Sequence, residues 1–106
     1  MPKYLIQATY TPEGLKGLHK DKASGRRTAV TNALEPLRGK LESMHYAFGQ
    51  DDAVVIIDLP DNVSASALSL AVSASGMVRT RTTPLLTVEE VDQALQKTVN
   101  YKAPGR

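Results

Sequence analysis

The chain has 106 residues and an ordinary globular composition, with 42% hydrophobic and 23% charged side chains. These values argue against disorder and predict a single folded domain over residues 1–106. The net charge of +2 is too small to require a nucleic-acid partner, and the absence of cysteine excludes disulfides, thiolate nucleophiles, iron–sulfur clusters and zinc fingers.

Neither a signal peptide nor a membrane span is expected from the sequence. The first residues lead into an alternating polar and apolar segment rather than a continuous apolar run. The longest stretch without a charged side chain covers residues 62–78, and its Ser, Ala and Gly content falls short of a membrane helix. We therefore expect a cytoplasmic protein without a membrane partner.

The first third of the chain predicts a strand followed by a helix. Residues 3–10 alternate between two faces and include aromatic and branched side chains, which is typical of a strand. Thr11 and Pro12 provide a cap and a first-turn proline for a short helix. The polar stretch 16–25 predicts a loop or a frayed turn, and apolar residues at three- and four-residue spacing predict a helix that begins near Ser24.

The centre of the chain predicts a β-hairpin. Strands over residues 40–48 and 53–59 flank the turn residues Gly49-Gln50-Asp51-Asp52. The second strand is apolar on both faces, which is typical of a central strand that is covered on both sides. Helices can cover one face, and in a chain this short we expect a second subunit to cover the other.

The last third predicts helix, strand and helix. Asp61 or Asn62 caps a helix that ends at Gly76, and its small apolar residues are expected to face the sheet: Val63, Ala67, Leu70, Ala71 and Ala74. Residues 78–86 alternate as a strand. Thr87 and Glu90 form a capping-box signature before a third helix, whose apolar face comprises Val88, Val91, Leu95 and Val99.

The order β-α-β-β-α-β predicts a ferredoxin-like α+β fold. It contains a four-stranded antiparallel sheet, followed by the extra C-terminal helix and a flexible tail from about residue 100.

Four separated motifs resemble the GYD domain family. They are Tyr10-Thr11-Pro12-Glu13-Gly14, Gly49-Gln50-Asp51-Asp52, Pro60-Asp61 and the run from Ser75 to Thr82. The resemblance covers residues 3–95 and implies a ferredoxin-like fold of the dimeric α/β-barrel type, in which two sheets pack face to face. The family has no assigned function. From the predicted strand that is apolar on both faces we expect a homo-oligomer, at least a dimer, and we expect no cofactor.

The hairpin departs from the family pattern at one position. The family usually has Gly-x-Tyr-Asp, and here Asp51 occupies the place of the tyrosine and is followed by Asp52. If that tyrosine stacks on a ligand or donates a proton, this chain has lost the role. In a solvated turn Asp serves equally well, and this is the favoured interpretation.

Arg79 and Arg81 leave the same face of the fourth predicted strand. Paired guanidinium groups either clamp a carboxylate or phosphate ligand or form salt bridges. The acids expected to meet them are Asp52, Asp58 and Glu42. Arg26 and Arg27 are expected on a solvated surface at the start of the first helix.

The weak candidates for catalysis are His45 and Tyr46, His45 because an imidazole titrates near neutral pH. The alternative for His45 is a sheet residue hydrogen-bonded to a neighbour. His19 and His45 lack further ligands at metal-binding spacing, so no metal site is expected.

Two classes of function follow. One is a protein that binds a small anionic or aromatic molecule between sheet and helices, or a cofactor-free isomerase or monooxygenase, with a site formed by Tyr10, His45, Tyr46, Asp52, Arg79 and Arg81. The other is a non-catalytic assembly or regulatory module whose partner is itself. A haem-degrading monooxygenase is suggested by fold analogy alone.

Overall fold

The computed structural model describes every residue from Met1 to Arg106. Its four-stranded antiparallel sheet has the strand order β2-β3-β1-β4. The strands are β1 (Lys3–Tyr10), β2 (Lys40–Tyr46), β3 (Ala53–Asp58) and β4 (Val78–Leu85), and the helices are α1 (Pro12–Leu34), α2 (Asn62–Ala74) and α3 (Val88–Leu95). A short 3-10 turn, Glu35–Leu37, follows α1. The predicted ferredoxin-like α+β fold is confirmed.

The core lies between one face of the sheet and the helices α1 and α2. Every second side chain of the two central strands points to this face, because successive residues of a strand alternate between its faces. The buried cluster is Tyr4, Ile6, Leu34, Val55, Ile57, Leu59, Ala65 and Leu68. Tyr4 is its only aromatic member, and the Tyr4 hydroxyl donates a hydrogen bond to Asn62 Oδ1 at 2.7 Å. The other members of the cluster are aliphatic.

The opposite side of the sheet, which we call the open face, carries no helix. Leu5 of β1 and Ile56 of β3 are direct cross-strand partners there, and both are only partly buried. At one end of this face Lys3 Nζ donates to Glu42 Oε1 and Asp58 Oδ1, each at 2.8 Å. The central strands are therefore apolar on both faces, and only one of those faces is covered within the chain.

The stretch 16–25, expected as a loop or a frayed turn, is helical within α1 except at Lys22, and the helical segment after that break begins close to the predicted start at Ser24. Thr11 caps the helix by accepting a hydrogen bond from the Gly14 N–H at 3.1 Å. The only interruption is at Lys22, with φ 68° and ψ 165°, where the helix kinks. Most side chains before the kink are exposed, so this segment lacks the apolar stripe by which a helix is recognised in sequence.

The prediction of which face of α2 packs against the sheet is wrong. Val63 and Leu70 are largely exposed, whereas Ala65 and Leu68 are buried. Apolar residues occur on both sides of this helix, so periodicity alone did not select the buried side. The predicted ends are confirmed: Asp61 accepts from the Ser64 N–H at 2.8 Å, and Gly76 adopts a φ of 71° after the helix.

Helix α3 begins with the predicted capping box between Thr87 and Glu90 but buries none of its residues. It ends at Leu95, so Val99 lies beyond it. The radius of gyration is 16.9 Å and the longest dimension 56 Å, whereas a compact domain of this length has a radius of about 13 Å. We attribute the difference to a C-terminal segment that extends away from the body. No helix combines the length and hydrophobicity needed to cross a bilayer.

Gly14 provides a test of how closely α1 approaches β4. A methyl group at Gly14 would overlap the main-chain carbonyl oxygen of Met77, which accepts a hydrogen bond from the Thr11 N–H at 3.0 Å. Gly14→Ala should therefore lower the free energy of unfolding by about 1–3 kcal/mol. Gly17→Ala is the matched control, because its methyl group meets nothing within 4 Å. It should be neutral or stabilising by up to about 1 kcal/mol. Urea denaturation measures both, and equal stabilities would contradict this packing.

Candidate functional site

A cavity of about 110 Å³ lies between α1, α2 and the helix-facing side of the sheet. It exists because small side chains line it from both layers: Ala8 and Ala53 from the strands, Ala29 and Ala33 from α1. All but three of its lining residues are hydrophobic. An apolar cavity of about 150 Å³ is sufficient to bind benzene. This cavity is smaller but open at one side, so it can enclose an aromatic ring only in part.

Arg26 is the only charged residue that lines the cavity. Its side chain is partly buried, and Arg26 Nη1 lies 3.7 Å from Asp21 Oδ2. The other two polar lining residues are Ser69 and Thr80, and the Ser69 hydroxyl lies 2.7 Å from the Thr82 hydroxyl. The cavity thus combines an apolar interior with a single positive charge.

Tyr10, which also lines the cavity, stacks on Tyr46 of the edge strand β2, across the end of β3. Their rings are almost parallel, with centroids 6.4 Å apart, and the two hydroxyl oxygens lie 3.0 Å apart. Burial, and then the hydrogen bond with Tyr10, raises the pKa of Tyr46 well above its ordinary value, while the Arg26 charge acts in the opposite direction. A phenol with a raised pKa stays neutral at physiological pH, so Tyr46 serves there as a hydrogen-bonding group.

Three of the other expected site residues lie on the open face. Cross-strand partners share a face, and His45 pairs with Val54, Arg79 with Thr9 and Arg81 with Gln7. Tyr10 and Tyr46, by contrast, lie on the helix-facing side. The structure therefore divides the expected set between the two faces of the sheet, because neighbouring positions in a strand point in opposite directions.

Asp51, not one of the three expected acids, is the partner of Arg81. Arg81 Nη2 donates to Asp51 Oδ2 at 2.6 Å. Gln7 and Thr9 also donate to the Asp51 carboxylate, each at 3.4 Å. The Arg81 side chain is 61% exposed and that of Asp51 15% exposed. Asp51 is thus anchored on the open face, and the interpretation of this position as a simple solvated turn is wrong.

The three acids expected near the arginines have other partners. Asp52 Oδ2 accepts a hydrogen bond from the Tyr10 N–H at 2.8 Å. Glu42 and Asp58 both pair with Lys3. Arg79 forms no ion pair within the chain, as the salt bridges of the structure involve other residues.

Arg26 was missed as a site residue by sequence reasoning. The segment before it was expected to be a loop, which would place Arg26 at an exposed helix start. In α1, Arg26, Ala29, Val30 and Ala33 have the three- and four-residue spacing of one helix face, and all four line the cavity. This spacing was the available signal. His19, in the same helix, is exposed.

The raised pKa of Tyr46 predicts a loss of stability in alkaline solution. The unfolded chain releases this proton near the ordinary value of 10.0, while the folded chain retains it, so the free energy of unfolding falls as the pH rises above that value. Tyr46→Phe should show a smaller loss than the unmodified chain when urea denaturation is compared at about pH 9 and about pH 11. Tyr101→Phe, at an exposed position, is the control and should behave like the unmodified chain. An unchanged pH profile in Tyr46→Phe would contradict the assignment.

Comparison with known proteins supports the resemblance found in the sequence. No curated protein matches the chain. The family model for the GYD domain matches residues 4–95, which include all four strands, α1, α2 and α3. The chain is a member of the GYD domain family.

Proposed function

We propose that this protein binds a small aromatic molecule with an anionic group in the cavity between the helices and the sheet. The observation that carries the proposal is the single guanidinium of Arg26 on an otherwise apolar cavity. The ring of such a ligand would fill the space left by the alanines. Its carboxylate would lie at the cavity wall, within reach of Arg26.

The ion pair between Arg26 and Asp21 does not prevent a ligand carboxylate from binding to Arg26. Asp21 lies 3.7 Å away and its side chain is 47% exposed, and ion pairs of this kind contribute little to stability. A ligand carboxylate can therefore replace it without a large loss. The Tyr10 hydroxyl offers a further hydrogen bond, since Tyr10 lines the same cavity.

The residues of the cavity favour binding over catalysis. None of them is a histidine, a carboxylate or a cysteine, and acid–base chemistry near neutral pH needs a group that titrates there. A cofactor-free isomerase or monooxygenase is therefore the less supported alternative. His45, the candidate base, lies on the open face.

Calorimetric titration with benzoate and its neutral analogue benzamide tests the site. Benzoate should bind more tightly than benzamide, and Arg26→Met should weaken benzoate binding by about 10- to 100-fold, because a charge-assisted hydrogen bond is lost. Arg27→Met, which removes an exposed neighbouring arginine, is the matched control and should leave binding unchanged. Failure of benzoate to bind, or equal effects of the two substitutions, would refute the proposal.

We further propose that two copies assemble through the open face. Support comes from the apolar side chains of Leu5, Val54 and Ile56, which lie on a face that no helix of the chain covers. Burying such residues contributes roughly 25 cal/mol per Å² of apolar surface. A second copy would supply the missing cover.

Adjacent residues of β3 separate folding from assembly. Val55 belongs to the buried core, and Ile56 points to the open face. Val55→Asp should abolish the cooperative thermal transition, because it buries a carboxylate without a partner. Ile56→Asp should leave a folded chain that sediments as a monomer. A wild-type monomer at micromolar concentration, or a dimeric Ile56→Asp variant, would contradict assembly through this face.

A further inference from the structure

Helix α3 has an apolar side with no partner in its own chain. Val88, Val91 and Leu95 are 76%, 42% and 78% exposed. Their three- and four-residue spacing places them on one side of the helix. Leu86 before the helix and Tyr101 after it are also exposed. Apolar side chains in such a continuous arrangement mark an interaction surface more often than isolated ones do.

The charged residues of α3 are all acidic. They are Glu89, Glu90 and Asp92, and the helix has no basic residue. Glu90 is occupied in the capping box, where Glu90 Oε1 accepts from the Thr87 N–H at 2.9 Å. Glu89 and Asp92 form no salt bridge. Asp92 follows Val88 by four residues and therefore borders the apolar side.

The open face has the complementary character. Leu5 and Ile56 provide apolar surface at its centre, and Thr83 of β4 pairs with Leu5. Arg79, two strand positions from Arg81, lies on the same face and has no acidic partner in the chain. The open face thus has an apolar centre and, four positions along β4 from Thr83, a free arginine. Helix α3 has an apolar side with a free aspartate at its border.

Helix α3 does not pack against its own sheet. Leu86 alone separates the end of β4 from Thr87, the cap residue of α3. The capping box holds the first turn of the helix in place from both sides. The exposed apolar side and the 56 Å length of the molecule agree with a helix directed away from the body.

We propose that α3 packs against the open face of a second copy, and that α3 of the second copy packs against this chain in the same way. The apolar side of α3 lies over the part of the open face next to β4. The acidic residues of α3 lie beside Arg79. The inference rests on the dimer proposed above and names the element that binds the second copy. It also gives Arg79 a partner: Asp92 or Glu89 of the other copy.

Complementary charge reversal in the full chain tests this directly. Arg79→Glu and the double variant Glu89→Arg/Asp92→Arg should each weaken the dimer at least tenfold, because each places like charges at both contacts. Mixing the two variants should restore a 1:1 dimer, since both contacts in the mixed species pair opposite charges. Native mass spectrometry distinguishes the mixed dimer by mass. Arg27→Glu, on α1, is the control and should dimerise like the wild type.

A second pair of variants tests the apolar contact. Leu95→Asp lies on the apolar side of α3 and should dissociate the dimer, whereas Gln93→Asp lies on the opposite side and should not. Neither should alter the circular dichroism spectrum, because α3 buries no residue within the chain.

The results separate this inference from the dimer itself. A wild-type monomer would overturn both. A wild-type dimer that withstands Leu95→Asp and both charge reversals would overturn the helix exchange and leave the dimer standing. Dissociation by each charge variant without restoration on mixing would overturn the pairing between α3 and Arg79.

Discussion

The two central strands, β1 and β3, are apolar on both faces, and this constraint governs how the other elements are used. Strand geometry sends Ile6 and Val55 to one side and Leu5 and Ile56 to the other. Helices α1 and α2 cover the first side and enclose the cavity beneath Arg26. The second side is left without a helix. In the functions proposed here, the helix-covered face binds a ligand and the open face mediates assembly.

The hairpin between β2 and β3 connects these two faces. Asp52 accepts a hydrogen bond from the main chain of Tyr10, whose ring lines the cavity. Its neighbour Asp51 pairs with Arg81 on the open face. Two consecutive aspartates thus hold the end of β1 and the edge strand β4.

Features that depend on local chemistry were predictable from the sequence. The alternation of β1, the capping box at Thr87 and the stop at Gly76 all involve residues within a few positions of one another, and all are confirmed. Features that depend on which distant residues pack together were not predictable from the sequence. Helix α2 has apolar residues on two sides, and only packing against the sheet decides that Leu68 rather than Leu70 is buried.

In the candidate site, too, some residues were predictable from the sequence and others were not. Tyr10 was recognised because a strand places it beside other aromatic residues. Arg26 was missed because the polar first half of α1 gives no apolar pattern, so Arg26 was expected in an exposed first turn. Asp51 and Arg81 are 30 positions apart in the sequence. Asp51 lies in a loop whose conformation cannot be predicted from residue propensities. Such contacts are set by tertiary structure.

Methyl NMR spectra test whether one face of the sheet binds the ligand and the other mediates assembly. The sample is labelled at Ile and Val, titrated with benzoate and then diluted. The account predicts that benzoate shifts the signals of Ile6 and Val55, which line the cavity, and that dilution shifts those of Val54 and Ile56 on the open face. If benzoate shifted the signals of Val54 and Ile56 and left those of Ile6 and Val55 unchanged, the assignment of binding to the helix-covered face would be wrong.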